Sequence, residues 1–292
     1  MKPLVFGEVL FDTFPDGKKI LGGAPFNVAW NLHKFGMKPV FVSCIGDDED
    51  GNTVIRTMES AGMNTSSVKV LQDYPTGRVS VGFRNSQPEY TIEENQAYDY
   101  IEPAVSVDAA PVICHGTLAL RTDFNRDSLY SMKALSGAPT FVDLNLRDPH
   151  WNEELIKSVL GLSTYVKMSE EELTVSAKLS GIETGNILKT ARQLFDNYNL
   201  SVLYITSGEE GAFAVTESDM YMEKPDGAIE IEDTVGAGDA FTSVAVMGML
   251  KGWSMESILR RAVQFSAGVC TIRGATTESI EFYDYYLRGW ND

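Results

Sequence analysis

Short apolar runs alternate with segments of helical periodicity along most of the 292 residues. No other feature constrains the fold as strongly. Leu4 to Phe11, Val40 to Ile45, Val112 to His115, Thr140 to Asp143, Tyr165 to Met168 and Val202 to Thr206 read as buried strands. Helical spacing falls between them, at Ala24 to Phe35, Asp50 to Ala61, Arg126 to Leu135, Trp151 to Leu160, Glu170 to Ser180 and Asn186 to Tyr198. A strand, a crossover helix and a parallel strand bury apolar surface on both faces of one sheet. The predicted core is therefore α/β, with a mostly parallel sheet. Gly36 and Gly62 stop two of the helices. Gly211 to Thr216 adds an antiparallel strand, and helices at Gly238 to Leu250 and Met255 to Thr271 follow.

The middle of the chain breaks this rhythm. Thr76 to Arg84 and Glu89 to Ile92 read as a hairpin around Asn85-Ser86-Gln87-Pro88. The expected architecture is an α/β core interrupted by a small β insertion. Ligands of open α/β sheets bind beyond the carboxyl ends of the strands, and most of the polar and glycine-rich motifs fall there.

Bulk properties exclude several functions. The formal net charge is -17, which repels nucleic acid and anionic lipid but leaves room for a local phosphate site. The Tyr283 to Tyr286 cluster has no basic patch beside it and reads as packing. Cys44, Cys114 and Cys270 show no CxxC or zinc spacing, which suits reduced thiols. His33, His115 and His150 share no ligand motif. The N-terminus runs directly into a strand, without the apolar region of a signal peptide. The best apolar run, Ala240 to Leu250, spans about eleven residues, a core helix rather than a membrane span. A cytoplasmic location is expected, with no nucleic-acid or membrane partner.

The segment that carries most chemistry is Asp233-Thr234-Val235-Gly236-Ala237-Gly238-Asp239-Ala240-Phe241. Two glycines precede an apolar helix, so the N–H groups of Gly236, Ala237 and Gly238 would face an anion with help from the helix dipole. Asp239 can accept a proton from an attacking hydroxyl at such a site. The same residues also read as a capped helix start with Asp in its first turn. A dinucleotide fingerprint fails because Phe241 stands where its third glycine belongs, and Gly17-Lys18-Lys19 fails as a Walker A loop.

This segment resembles the C-terminal signature of the PfkB (ribokinase-like) carbohydrate kinases. Gly22-Gly23-Ala24-Pro25-Phe26-Asn27-Val28-Ala29 resembles the N-terminal sugar-binding signature of the same family. The Gly-Gly-Ala-Pro-x-Asn form, with Gly7-Glu8-Val9-Leu10-Phe11-Asp12 before it, most resembles bacterial fructokinases. The resemblance implies a ribokinase-like three-layer core with a mostly parallel central sheet flanked by helices, plus a small β-sheet lid. Residues 1–10, 25–72 and 101–292 would form the core, and 11–24 with 73–100 the lid. It implies transfer of the γ-phosphoryl group of ATP to a sugar hydroxyl, with fructose favoured. Ribose, 2-keto-3-deoxygluconate or a nucleoside are the alternatives. Ala24 stands where many ribokinases carry Lys, which weakens ribose. A sugar sensor on a kinase scaffold is the rival of another class.

The family's residue roles carry over as follows. Asp239 is the base, and Gly236, Ala237 and Gly238 form the anion hole. Asp12, Gly22, Gly23 and Asn27 hold the sugar, and Arg84 on the insertion reaches it when the lid closes. Thr206, Ser207, Gly208 and Gly211 follow the ATP phosphates and ribose, with Ser266 nearby. In Ser169-Glu170-Glu171-Glu172, Glu172 organises the water shell of Mg²⁺, while Ser169 replaces the family's Asn. Locally this motif is a helix capping box. Asp233, with carbonyls near Gly274, would hold a monovalent cation such as K⁺. Arg147, in Asp143-Leu144-Asn145-Leu146-Arg147, either contacts phosphate or pairs with Asp143. Members of the family often dimerise through the lid.

Overall fold

The computed structural model describes residues 2–84, 87–103, 110–227 and 230–290, with the side chains of 83, 84 and 87–89 outside that description. The chain forms β1 (Leu4–Phe6), β2 (Leu10–Thr13), β3 (Lys19–Gly22), α1 (Ala24–Lys34), β4 (Val40–Gly46), α2 (Glu49–Ser60), β5 (Val68–Leu71), β6 (Gly77–Arg84) and β7 (Gln87–Ile92). It continues through β8 (Ile113–His115), α3 (Asp123–Ser136), β9 (Thr140–Asp143), α4 (Glu153–Leu162), β10 (Tyr165–Ser169), α5 (Glu170–Leu179), α6 (Ile187–Tyr198) and β11 (Val202–Thr206). β12 (Ala212–Val215), β13 (Met220–Glu223), α7 (Ala237–Lys251), α8 (Met255–Val269) and α9 (Ile280–Trp290) complete it.

Nine strands form one sheet in the order β13-β12-β11-β10-β9-β8-β1-β4-β5. The pairings from β11 across to β5 are parallel, and β12 and β13 join antiparallel at one edge. Because successive side chains of a strand point to opposite faces, each strand feeds two cores. Val5, Phe41, Phe141 and Tyr204 pack with α1, α2, α7, α8 and α9. Leu4, Phe6, Val42, Val142 and Val166 pack with α3, α4, α5 and α6. These buried faces are why the strands read as continuous apolar runs. Among the described residues, no helix is long and apolar enough to cross a membrane.

A second sheet, β3-β2-β6-β7, stands apart from the first. The predicted single strand Leu4 to Phe11 therefore divides: Leu4–Phe6 joins the large sheet and Leu10–Thr13 the small one. Gly7 makes the break at φ 149°, where a Cβ would come within 2.4 Å of the Pro25 ring. An apolar run alone gives no sign that its two halves belong to different sheets. The strands β3, β5 and β13 and the helix α9 were not anticipated, since each is short or mixes charged and aromatic residues.

Polar contacts fix the chain where it passes between the sheets. Before β6, the Asp48 carboxylate accepts from the Thr76 amide at 2.8 Å, the Thr76 hydroxyl at 2.7 Å and the Gly51 amide at 2.7 Å. After β7, the Arg121 guanidinium donates to both Asp99 oxygens at 2.7 Å and to the Glu93 carbonyl at 2.7 Å. The Arg121 and Asp99 side chains are 8% and 3% exposed. Breaking such a pair from one side strands a buried charge at about 3–5 kcal/mol. Arg121→Met should lower unfolding free energy in urea by about that amount, with Arg121→Met/Asp99→Leu recovering part of it.

Candidate functional site

Three neighbouring strands end side by side, and two of them reach α7, β9 through Asp143 to Thr242 and β10 through Lys167 to Gly238. β9 ends in Asp143, β10 ends in Ser169 and β11 ends in Thr206, and Ser169 and Thr206 lie directly opposite one another. In the loop after β11, the Ser207 amide donates to the Gly211 carbonyl at 2.8 Å. Gly208 and Gly211 hold φ of 55° and 96°, and a Cβ on Gly211 would overlap the Glu223 carbonyl. Thr206, Ser207, Gly208 and Gly211 thus form one tight turn beside Ser169.

The α7 turn is built around Gly236, whose φ of 81° is left-handed and whose Cβ would come within 2.4 Å of Ala275. Among the described residues, the amides of Gly236, Gly238 and Asp239 take no backbone partner, whereas the Ala237 amide donates to the Thr234 carbonyl at 3.4 Å. The Ser266 hydroxyl donates to the Ala237 carbonyl at 2.7 Å and ties α8 to this turn. Asp233 braces the other side, accepting from the Val235 amide at 3.0 Å and the Gly274 amide at 3.0 Å. Unpaired amides at a helix N-terminus suit an anion.

Asp239 lies half-buried in the first turn of α7. Asn27, projecting from α1, donates through Nδ2 to Asp239 Oδ2 at 2.7 Å. Burial first and the Asp143 charge second push the Asp239 carboxyl up to about 6, against the Asn27 bond, Lys167 and Arg147. The first turn of α1 starts at Gly23, which at φ 108° lets its backbone lie on the Glu8 carbonyl; a Cβ there would be 2.7 Å from that oxygen. Asp12 sits in the small sheet, its Oδ2 4.0 Å from where a Gly22 Cβ would stand. Burial raises the Asp12 pKa above its ordinary value, opposed by Arg147. Asp12, Gly22, Gly23, Asn27 and Asp239 therefore form one group. The side chain of Arg84 lies outside the described residues.

One member of the site was missed from the sequence. Lys167, buried in the middle of β10, donates to both Asp143 oxygens at 3.0 and 3.1 Å. Its Nζ would meet a Gly238 Cβ at 2.8 Å, so the ammonium lies under the amide turn. Burial pulls the Lys167 pKa down, but Asp143 and Glu172 outweigh it and the net shift is upward. Thr242 of α7 also donates to Asp143, at 2.8 Å. A lysine inside an otherwise apolar strand was the available signal. Asp143 is taken by Lys167 and Thr242, while exposed Arg147 acts electrostatically on Glu8, Asp12 and Asp239.

Glu172 closes the capping box with Ser169. Its Oε2 accepts from the Ser169 amide at 2.8 Å and its Oε1 from the Leu146 amide at 2.6 Å. Each carboxylate oxygen can accept a second hydrogen bond, so a metal-bound water fits. Among the described residues, no group of three His, Cys, Asp or Glu side chains could hold a metal ion.

A family model described as pfkB family carbohydrate kinase matches residues 7–281. The chain is 29% identical to a fructokinase of Escherichia coli over 306 residues, covering 94% of this chain and 95% of that one. It is 28% identical to Fructokinase-2 of Oryza sativa subsp. japonica, over 92% of this chain and 87% of that one. An uncharacterized sugar kinase from Pyrococcus horikoshii superposes with a TM-score of 0.82 at 25% identity, over 99% of this chain and 97% of that one. The fructokinase of Vibrio cholerae O395, in a fructose-, ADP- and calcium-bound form, superposes with a TM-score of 0.79 at 23% identity, over 98% of each.

Gly236→Ala places a side chain in left-handed backbone and against Ala275. Left-handed backbone alone costs a non-glycine residue roughly 1–2 kcal/mol, so urea unfolding should show a loss of at least that size.

Proposed function

The chain belongs to the pfkB family carbohydrate kinases, and on that premise we propose that it transfers the γ-phosphoryl group of ATP to a sugar hydroxyl, fructose being the favoured acceptor. The observation that carries the reading is the 2.7 Å bond from Asn27 to Asp239. It sets the segment that suits hydroxyl recognition against the carboxylate beside the amide turn.

In this reading Asp12 accepts hydrogen bonds from sugar hydroxyls, Gly22 and Gly23 let the backbone approach the ring, and Arg84 completes the site from the lid. Asp239 takes the proton of the attacking hydroxyl. A base with a pKa of about 6 is largely ionised at neutral pH yet more basic than an exposed aspartate. The free amides of Gly236 and Gly238 stabilise charge on the transferred group, and the Lys167 ammonium beneath them adds positive potential. Ser169, Thr206, Ser207, Gly208 and Gly211 line the nucleotide phosphates, and Ser266 steadies the amide turn.

When bound with the nucleotide, Mg²⁺ neutralises phosphate charge. Glu172 would hold its water shell, and Asp233 with the Gly274 loop would hold K⁺. The reading places the enzyme in the cytoplasm. A dimer through the lid would cover Tyr90 of β7, which is 58% exposed.

A panel of sugars with MgATP, scored by ADP release and product mass, tests the reaction. Fructose should be the best acceptor. Better turnover of ribose, 2-keto-3-deoxygluconate or a nucleoside would replace it, and sugar binding without turnover would point to a sensor. Asp239→Asn should lower kcat by about 10²–10⁴-fold with an unchanged circular dichroism spectrum, and near-normal turnover would remove Asp239 as the base. The kcat/KM of the wild type should rise with pH through about 6 as Asp239 ionises. The stability effect has the opposite sense. The folded state holds the Asp239 proton to about 6, so as pH rises from the ordinary value of 3.8 the unfolded state gains. Asp239→Asn should therefore be more stable than wild type at pH 7, by about 1–3 kcal/mol.

A further inference from the structure

Beside the first turn of α1 lies a carboxyl that the proposed mechanism does not use. Glu8 follows β1, is 2% exposed, and has a buried Oε2 without a hydrogen-bond partner among the described residues. Buried polar atoms are normally paired, so each exception calls for a reason. The Glu8 carbonyl packs on Gly23, and the Gly23 carbonyl receives the Asn27 amide at 2.9 Å. Glu8 thus adjoins the turn from which Asn27 projects. Asn27 shows the complementary defect. Its Nδ2 is spent on Asp239, while its Oδ1 is buried and, among the described residues, unpartnered.

We propose that Glu8 is a positioning residue whose neutral carboxyl supplies the donor, directly or through one water, that holds the Asn27 amide with Nδ2 toward Asp239. An amide oxygen only accepts, and a carboxyl donates only while protonated. Burial keeps the proton on Glu8 below about pH 7 by pushing its pKa up to about 7; its own backbone amide opposes this, Asp239 adds to it, and Arg147 and Arg121 oppose it. Without the donor, the Asn27 amide is free to flip and would present Oδ1 to the Asp239 carboxylate, a repulsive contact. The inference rests on the reading of Asp239 as the catalytic base.

The consequence has a definite sign. The Asn27 bond holds the Asp239 pKa down against burial and Asp143, so a misoriented Asn27 leaves Asp239 protonated to higher pH. The other titratable and charged groups that act on the pair are Asp143, Lys167, Arg147, Arg121 and Tyr98, whose buried hydroxyl has no partner among the described residues, and a substitution at position 8 leaves all of them in place. A purely electrostatic role for Glu8 predicts the reverse, because removing a neighbouring negative charge lowers the Asp239 pKa.

The test is the ¹³C carboxyl titration of Asp239, assigned by its loss in Asp239→Asn, in wild type, Glu8→Gln and Glu8→Met. Gln keeps a neutral donor and Met keeps the length without one. The Met variant should titrate about one pH unit higher, a tenfold change in proton affinity, while the Gln variant stays near wild type. A folded Met variant with an unmoved or lowered midpoint overturns the proposal, as does a Gln variant that moves with it. If Met prevents folding, Glu8→Leu gives the same reading. No substrate is present in the titration, so failure of every sugar to turn over would remove the kinase reading and leave the positioning result standing.

Discussion

A hydrogen bond between residues 212 positions apart, Asn27 and Asp239, holds the site together. It is a bond to a carboxylate that has given up much of its water. Burial and the nearby Asp143 charge disfavour the ionised form, and the Asn27 amide, Lys167 and Arg147 favour it. The balance gives a group that is charged at neutral pH but close enough to its pKa to take a proton. Moving α1 relative to α7 would remove the amide and shift that balance, so the packing of these two helices sets the protonation of Asp239.

The layer beneath the site follows the same logic. Asp143, Lys167 and Thr242 form a buried network between β9, β10 and α7. Replacing a buried ion pair with apolar residues often leaves a protein equally or more stable, so such a pair is weak evidence for stabilisation. What it does here is place a positive charge against Gly238, under the turn in which, among the described residues, the Gly236 and Gly238 amides take no backbone partner. The Arg121–Asp99 pair and the Asp48–Thr76 contacts serve a different purpose, fixing the chain as it leaves and rejoins the large sheet. A small sheet carried on two anchored strands can be oriented without a large interface of its own.

Much of the fold was legible because a sheet buried on both faces writes apolar runs into its strands. Thr140–Asp143 and Val202–Thr206 match the expected strands to the residue. The division of Leu4 to Phe11 into strands of two different sheets was not legible, because Gly7 and Glu8 interrupt an apolar run only briefly and hydropathy records burial, not partner. The strand β3 escaped for a related reason: at an edge it needs no alternating pattern, and Lys19-Ile20-Leu21-Gly22 shows none. In the site, glycine-rich turns and carboxylates stood out. Lys167 did not, since a lysine in a strand usually reads as a solvent-facing residue.

The sequence by itself determined the local geometry. Gly23, Gly211 and Gly236 stand where the backbone is left-handed or closely approached, and no side chain fits there. It also determined the composition of the site, with Asp239 at a helix start and Asp12, Gly22, Gly23 and Asn27 clustered near the N-terminus. Tertiary structure alone decided which of these groups touch. It set Asn27 on Asp239, Lys167 under Gly238 and Glu8 against the turn that carries Asn27. The reason is physical. Turn and helix preferences act over a few residues, whereas the pKa of a carboxyl depends on every charge and dipole within several ångströms, and only the folded chain brings those together.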